Sequence, residues 1–255
     1  MTDTQIAIGK VKTVFTTDEP DKVLIQYEDK VTAGNGRHVD FPEGKGEVCC
    51  KISEFLFKKL EEAGIQTHYI DTYPVAIMSC KKVDIIPIEV VVRNVASGSI
   101  VRQTTIEEGK VFDGPLVEFY LKDDEKDDPL LTVDRINLMG YGNDIRPLSF
   151  HARAVNAVLK GIFEEIEVLK HHAREINAIM KGVFRKIGLT LVDFKLEFGY
   201  DSEQNLLLAD ELSPDGMRLW REGKSFDKDL FRKEEGNIVE AYQYILSELK
   251  KNHAS

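Results

Sequence analysis

The segment VDFKLEFGY, residues 192–200, carries Asp193, Lys195 and Glu197 at every second position. In an extended chain successive side chains point to opposite faces. One face of this strand is therefore apolar, and the other reads acid, base, acid. Same-face neighbours lie roughly 6.6 Å apart, which separates Asp193 and Glu197 by roughly 13 Å. They cannot share one ion and must serve separate sites, with Lys195 between them. A second strand, LLLADEL, follows a YDSEQN turn, and the pair predicts a hairpin that brings Asp210 opposite or near Glu197. Two carboxylates at 4 Å repel by roughly 4 kcal/mol at an effective dielectric of 20, and a cation removes that cost. No His or Cys lies nearby in the sequence. The natural occupant is an oxygen-ligated Mg2+ or Mn2+ held by Glu197 and Asp210. Glu211 is expected on the opposite face, as the poorer ligand. The alternative is the solvated outer face of an antiparallel sheet.

Two other stretches carry chemistry. In IEVVVRNVASGS, Glu89, Val91 and Arg93 share a face, and a loop of small residues follows at once. A fixed guanidinium beside exposed N–H groups and a hydroxyl makes a phosphate seat, and Gly98 lets the backbone approach an anion closely. The alternative is a surface pair between Arg93 and Glu89. In GKVK, Lys10 and Lys12 follow Gly9 on one expected strand face, where they can cover nucleotide phosphates. An edge strand defended by lysines is the other reading. There is no GxxxxGK[ST] loop, no GxGxxG and no GxSxG elbow. His171 and His172 read as helix surface. A phosphate cover, a carboxylate-held metal and a second anion seat together describe ATP-dependent group transfer to a phosphorylated or acidic substrate.

These residues need elements to hold them. IAIGKVKTVF and KVLIQY read as two short strands around the TTDEPD link, followed by a tight loop at Gly34, Asn35 and Gly36. EVCCKISEFLFKKLEEAG reads as a helix, with Val48, Ile52, Phe55, Leu56 and Leu60 on one side and Gly64 as its stop. Strands are expected around THYIDTYPVAIMSCKK and in IIPIEVVVRNV. FYLKDDEKDDP reads as a charged loop. The helical pattern over residues 149–188 would span roughly 60 Å. With Gly161 and Gly182 inside it, two helices or one bent helix are expected. SPDGMRLW and SFDKDLFRKEEG read as loops. A helix over residues 238–249 closes the chain, ending at Lys250 and Lys251.

The 255 residues, 42% hydrophobic and 31% charged, suit a soluble globular chain with one large domain or two modest ones. A formal net charge of -10 argues against general nucleic-acid binding, which needs basic surface. Any anionic ligand must be met by local basic clusters. Three cysteines without a CxxC pair suggest reduced thiols and a cytoplasmic compartment. No signal-peptide pattern is visible, and no apolar run reaches the roughly 18 residues of a membrane span.

The ordered set GKVKTVF, DKVTAGNG, IPIEVVVRNVASGS, FYLKDD, LVDFKLEFG, ADELSPDGMRLW and FDKDLFR resembles the phosphoribosylaminoimidazole-succinocarboxamide synthase (SAICAR synthetase) family, from about Ile8 to Tyr242. The resemblance implies an α+β fold of two lobes. A small antiparallel sheet lobe, residues 1–82, would cover ATP. A larger ATP-grasp or kinase-like lobe, residues 83–255, would carry the metal, ribonucleotide and aspartate sites. It implies ATP-dependent joining of L-aspartate to carboxyaminoimidazole ribonucleotide (CAIR), with Mg2+, in a homodimer. Lys10, Lys12 and Lys122 would then lie at ATP, and Glu197 and Asp210 at the metal. Arg93, Ser99 and Arg218 would bind the ribonucleotide phosphate. Glu89, Asp193 and Lys195 would orient the imidazole and its carboxylate. Lys228, Asp229 and Arg232 fall on the aspartate side, with Asp193 and Asp229 as candidate bases for its amine. Asn35 stands where some members have Asp, which leaves it a hydrogen-bonding role at the substrate. The stretch 144–167 is longer than expected for compact bacterial members. Two rivals are a small-molecule kinase of related fold, such as an inositol-phosphate kinase, and a noncatalytic nucleotide-binding module.

Overall fold

A computed structural model describes residues 4–33, 38–123, 126–132, 135, 162–233 and 236–252. Alternating apolar positions in the first third build a five-stranded antiparallel sheet. Its strands are β1 (Gln5–Ile8), β2 (Lys12–Thr16), β3 (Lys22–Tyr27), β6 (Tyr69–Tyr73) and β7 (Ile77–Lys81), in the order β1-β2-β3-β7-β6. Strands β4 (Val31–Ala33) and β5 (His38–Asp40) form a separate ribbon. IAIGKVKTVF is not one strand as expected. β1 and β2 pair with each other, so the chain must reverse at residues 9–11, where the Gly9 N–H donates to the Lys12 carbonyl at 2.7 Å. Val23, Ile25 and Tyr27 alternate inward. Helix α1 (Lys45–Glu62) follows its expected apolar stripe and stops at Gly64, whose φ of 90° suits a residue without a Cβ.

The second sheet contains β8 (Asp84–Val95), β9 (Val111–Leu121), β10 (Thr190–Tyr200), β11 (Leu206–Ala209), β12 (Met217–Arg221) and β13 (Lys224–Ser225). Its order is β13-β12-β10-β8-β9, and β11 also pairs with β10. Two segments expected to be loops contain regular structure. MRLWR is strand β12, and DLFR within FDKDLFR is the one-turn helix α4 (Asp229–Arg232). FYL closes the long strand β9, and the charged loop starts only after Leu121. Short helix α2 (Ser99–Gln103) starts at the last residue of ASGS. Helix α3 (Ile162–Lys186) runs unbroken through Gly182, while the expected helical stretch 149–161 lies outside the described residues. Helix α5 (Ile238–Asn252) closes the chain.

The apolar face of β10 (Phe194, Leu196 and Phe198) joins Val90 and Val92 of β8 and Leu169, Ala173, Ile176 and Phe184 of α3 in one buried core. Each Val, Leu, Ile or Phe among them contributes about 1.5–3 kcal/mol on burial. That packing fixes the register, because a slip by one residue would drive Asp193, Lys195 and Glu197 into the core. Asn94 and Asn177 exchange side-chain hydrogen bonds of 2.7 and 3.0 Å and tie α3 to β8. Lys45 at the start of α1 is 1% exposed and pairs with Asp215 in the turn before β12. Tyr242 of α5 donates to the other oxygen of that carboxylate at 2.9 Å.

One irregularity positions the site. β11 pairs with β10 over residues 197–200, and β12 pairs over 190–194, both on the edge away from β8. Between them the chain leaves the sheet as DELSPDG. The middle of β10, around Lys195, is left unladdered on that edge.

Candidate active site

Glu197 sits in register with Glu89 on β8 and with Ala209 on β11. Asp210 follows with φ of 65°, which turns the chain out of the sheet. Strand alternation therefore ends at Ala209, and the expectation that Glu211 faces away from Asp210 is wrong. Lys12 pairs with Asp210 and has Glu211 at 3.6 Å, so both acids face the same ammonium. Lys195 donates to Glu197 at 2.6 Å and to Glu89 at 3.1 Å, and lies 3.8 Å from Asp210. Lys122 donates to the second oxygen of Glu197 at 2.5 Å. The Glu197 side chain is 1% exposed, so the charged face of β10 is not a wet one. Lys10 occupies the exposed reversal between β1 and β2 and does not share a strand face with Lys12.

Three ammoniums (Lys12, Lys122, Lys195) thus meet four carboxylates (Glu89, Glu197, Asp210, Glu211). Burial works against the charge on Lys195, but Glu197, Asp210 and Glu89 prevail and raise its pKa well above the usual value. Lys12 is raised in the same way, with Asp210 and Glu211 overcoming its burial. Burial alone would lift Asp210, yet Lys12, Lys195 and Lys122 hold it far below the usual carboxylate range. Glu89 is raised by its burial, against the pull of Lys195. Among the described residues no three His, Cys, Asp or Glu side chains form a ready-made metal cage. The donors are oxygen only, with one carboxylate in excess. That set fits Mg2+ held by one or two carboxylates with its other ligands drawn from phosphate and water.

At the other end of the same strand face, Asp193 accepts from two guanidiniums through one oxygen, Arg93 at 2.9 Å and Arg218 at 2.8 Å. Burial raises its pKa, and Arg218 and Arg93 oppose that rise. Arg93 is 3% exposed, and all five of its N–H groups have protein acceptors. They reach Glu118 at 2.6 Å, Ser97 O at 3.2 Å, Asp193, Ser99 Oγ at 2.8 Å and the Tyr120 hydroxyl at 3.2 Å. The alternative of an Arg93–Glu89 surface pair is excluded, since Glu89 bonds Lys195 instead. Arg218 reaches on to Asp229 at 3.1 Å, and Arg232 closes on the other oxygen of Asp229 at 2.5 Å. Burial alone would raise the Asp229 pKa, but these two arginines lower it. Lys228 is 9% exposed, and burial lowers its pKa. Gly98 has φ of 69°, and a Cβ there would lie 2.7–2.9 Å from the Arg218 guanidinium. Asn35 lies outside the described residues.

Sequence reasoning missed Glu118 and Tyr120 of β9, which share a sheet face with Arg93. Their signal was the i, i+2 spacing within VEFYL. It also missed Asp227, which is 0% exposed.

One strand face thus carries a lysine–carboxylate cluster at one end and an arginine–carboxylate cluster at the other, groups of the kind that bind phosphates and carboxylates. The family model described as SAICAR synthetase matches residues 5–249. The phosphoribosylaminoimidazole-succinocarboxamide synthase of Trichormus variabilis is 44% identical over 246 residues, covering 93% of this chain and 92% of that one. A SAICAR synthetase (Type-2) solved in complex with ADP superposes with a TM-score of 0.84 at 35% identity, covering 96% of this chain and 97% of the other. The Ehrlichia chaffeensis phosphoribosylaminoimidazole-succinocarboxamide synthase gives 0.85 at 36% identity, covering 97% and 98%. The chain belongs to the SAICAR synthetase family.

Proposed function

We infer that this chain is an ATP-dependent ligase that joins L-aspartate to CAIR, giving SAICAR, ADP and phosphate in purine biosynthesis. Family membership over nearly the whole chain sets aside the kinase reading. The observation that carries the inference onto particular residues is the pair of ionic clusters at the two ends of one strand face.

In the proposed path the CAIR carboxylate oxygen attacks the γ-phosphorus of ATP, and the bond to the bridging oxygen breaks to release ADP. The acyl phosphate has a good leaving group where a carboxylate has none. The aspartate amine attacks its carbonyl carbon, phosphate departs, and the amine proton passes to a base, with Asp193 and Asp229 as candidates. Lys10, Lys12 and Lys122 would bind ATP phosphates. Mg2+ held by Glu197 and Asp210 would neutralise charge on the transferring phosphoryl group. Lysines that now neutralise Glu197 and Asp210 would turn to phosphate, and the acids would keep their neutrality through that cation. Arg218 and Ser99 would bind the ribonucleotide phosphate, with Arg93 holding Ser99 in place as well as offering its own charge. Glu89, Asp193 and Lys195 would orient the imidazole and its carboxylate. Lys228, Asp229 and Arg232 would face aspartate, and Asn35 would hydrogen-bond substrate. We further propose a lobe boundary at residues 82–83 with ATP between the lobes, a cytoplasmic homodimer, and no nucleic-acid or membrane partner. Among the described residues no helix is long and apolar enough to cross a membrane.

A coupled assay tests the reaction. ADP should appear only with ATP, CAIR and L-aspartate all present, and SAICAR should form in equal amount. ADP release at the full rate without aspartate would remove the amide-forming assignment. Gly98→Ala tests the phosphate seat. The new methyl group must displace the Arg218 guanidinium, so the KM for CAIR should rise about tenfold or more while ADP affinity is kept. An unchanged KM would place the ribonucleotide phosphate elsewhere.

A further inference from the structure

Asp227 has no place in the roles above, yet it is fully buried beside them. One of its oxygens accepts from the Leu219 N–H at 2.7 Å, and the other accepts from the Asp229 N–H at 2.7 Å. Leu219 is the neighbour of Arg218 on β12, and Asp229 opens α4. Asp227 therefore grips the backbone on both sides of the Arg218–Asp229 contact. No lysine or arginine pairs directly with it among the described residues' ion pairs. The charged and titratable groups that face it are Asp229 on α4, Arg218 on β12 and Tyr242 on α5. We propose that Asp227 is a positioning residue whose carboxylate clamps α4 to β12 and so sets Arg218 and Asp229 for substrate.

The clamp needs two acceptor oxygens. A protonated carboxyl keeps one good acceptor and turns a hydroxyl toward the other N–H. Burial pushes the Asp227 pKa up to about 7, with the Asp229 charge adding to the rise and the two N–H bonds and Arg218 opposing it. The clamp is whole above that range and loosens as pH falls through it.

The proposal rests on the ligase reading for its kinetic readout. Asp227→Asn supplies an oxygen to one N–H but presents an NH2 to the other. We expect KM for CAIR and for L-aspartate to rise about tenfold, with kcat lowered less and ADP affinity within about twofold. Wild-type kcat/KM for aspartate should contain one ionisation near neutrality that the variant lacks. Trp220, the single tryptophan, neighbours Leu219 on β12 and gives a readout free of turnover. Its fluorescence in the wild-type protein should change with one midpoint near neutrality between about pH 5.5 and about pH 8.5, and the change should be absent in the variant. Asp227→Ser, which keeps one acceptor, replaces the amide variant if that does not fold. Wild-type KM values and an unchanged pH profile in a folded variant overturn the clamp, as does a flat wild-type fluorescence titration. If neither protein forms SAICAR but both bind ADP, the ligase reading fails, and the Trp220 titration still decides the clamp.

Discussion

Replacing Glu197 with glutamine is expected to lower kcat by about 10^3-fold while the protein stays folded and still binds ADP. The substitution is isosteric, so the packing around a side chain that is 1% exposed is kept. What goes is the negative charge on which Lys195 and Lys122 converge. Lys195 retains Glu89 and Asp210, and Lys122, 43% exposed, retains water. The structural cost is therefore limited to two weakened charge-assisted bonds, about 1–3 kcal/mol in urea unfolding. The proposed metal role of Glu197 makes the catalytic cost larger, because a neutral amide is a poor ligand for a hard divalent cation and cannot balance charge during phosphoryl transfer. Single-turnover ADP formation measures the chemical step directly. Loss of kcat by less than about tenfold would mean that Glu197 is only a counter-ion for lysines.

The alternation of VDFKLEFGY was readable because burial on one face of a sheet imposes a period of two. The fate of its charged face was not, since alternation cannot distinguish water from a roof built by distant segments. Lys12 reaches Asp210 across 198 residues of sequence, and Lys122 reaches Glu197 across 75. Glu211 escapes the strand rule because alternation ends at Ala209, before the positive φ of Asp210. Only the backbone shows where a strand stops. Gly114 and Pro115 interrupt the pattern of β9, which is tolerable on an edge strand, and the partners of Arg93 were hidden with it. FDKDLFR holds a single helical turn, too short for periodicity to register. The motif resemblance selected residues that the structure gathers, such as Asp193 with Arg93 and Arg218. It did not say that Arg93 spends every N–H on protein, nor that Asp227 grips the backbone beneath its neighbours.

Asp193→Asn should separate stability from activity. One buried oxygen now receives both Arg93 and Arg218, and the two side chains flanking it are 4% and 19% exposed. Removing its charge leaves two guanidiniums facing a neutral amide, and breaking a buried pair in this way costs about 3–5 kcal/mol when no water can reach the orphaned charge. Arg93 keeps Glu118 and Arg218 keeps Asp229, so a loss of about 2–4 kcal/mol is expected. kcat/KM should fall by about 10^3-fold, because Arg218 is no longer aimed and a candidate base is gone. ADP affinity should survive, since Asp193 and Glu197 lie roughly 13 Å apart along the strand. Adding Arg218→Met removes one of the two facing charges. The double variant should therefore recover about 1–2 kcal/mol relative to additivity of the single changes. Its activity should recover nothing, because the guanidinium proposed to hold the substrate phosphate has been removed. If activity returned together with stability, Asp193 and Arg218 would be scaffold alone, and the substrate phosphate would have to be bound by other groups.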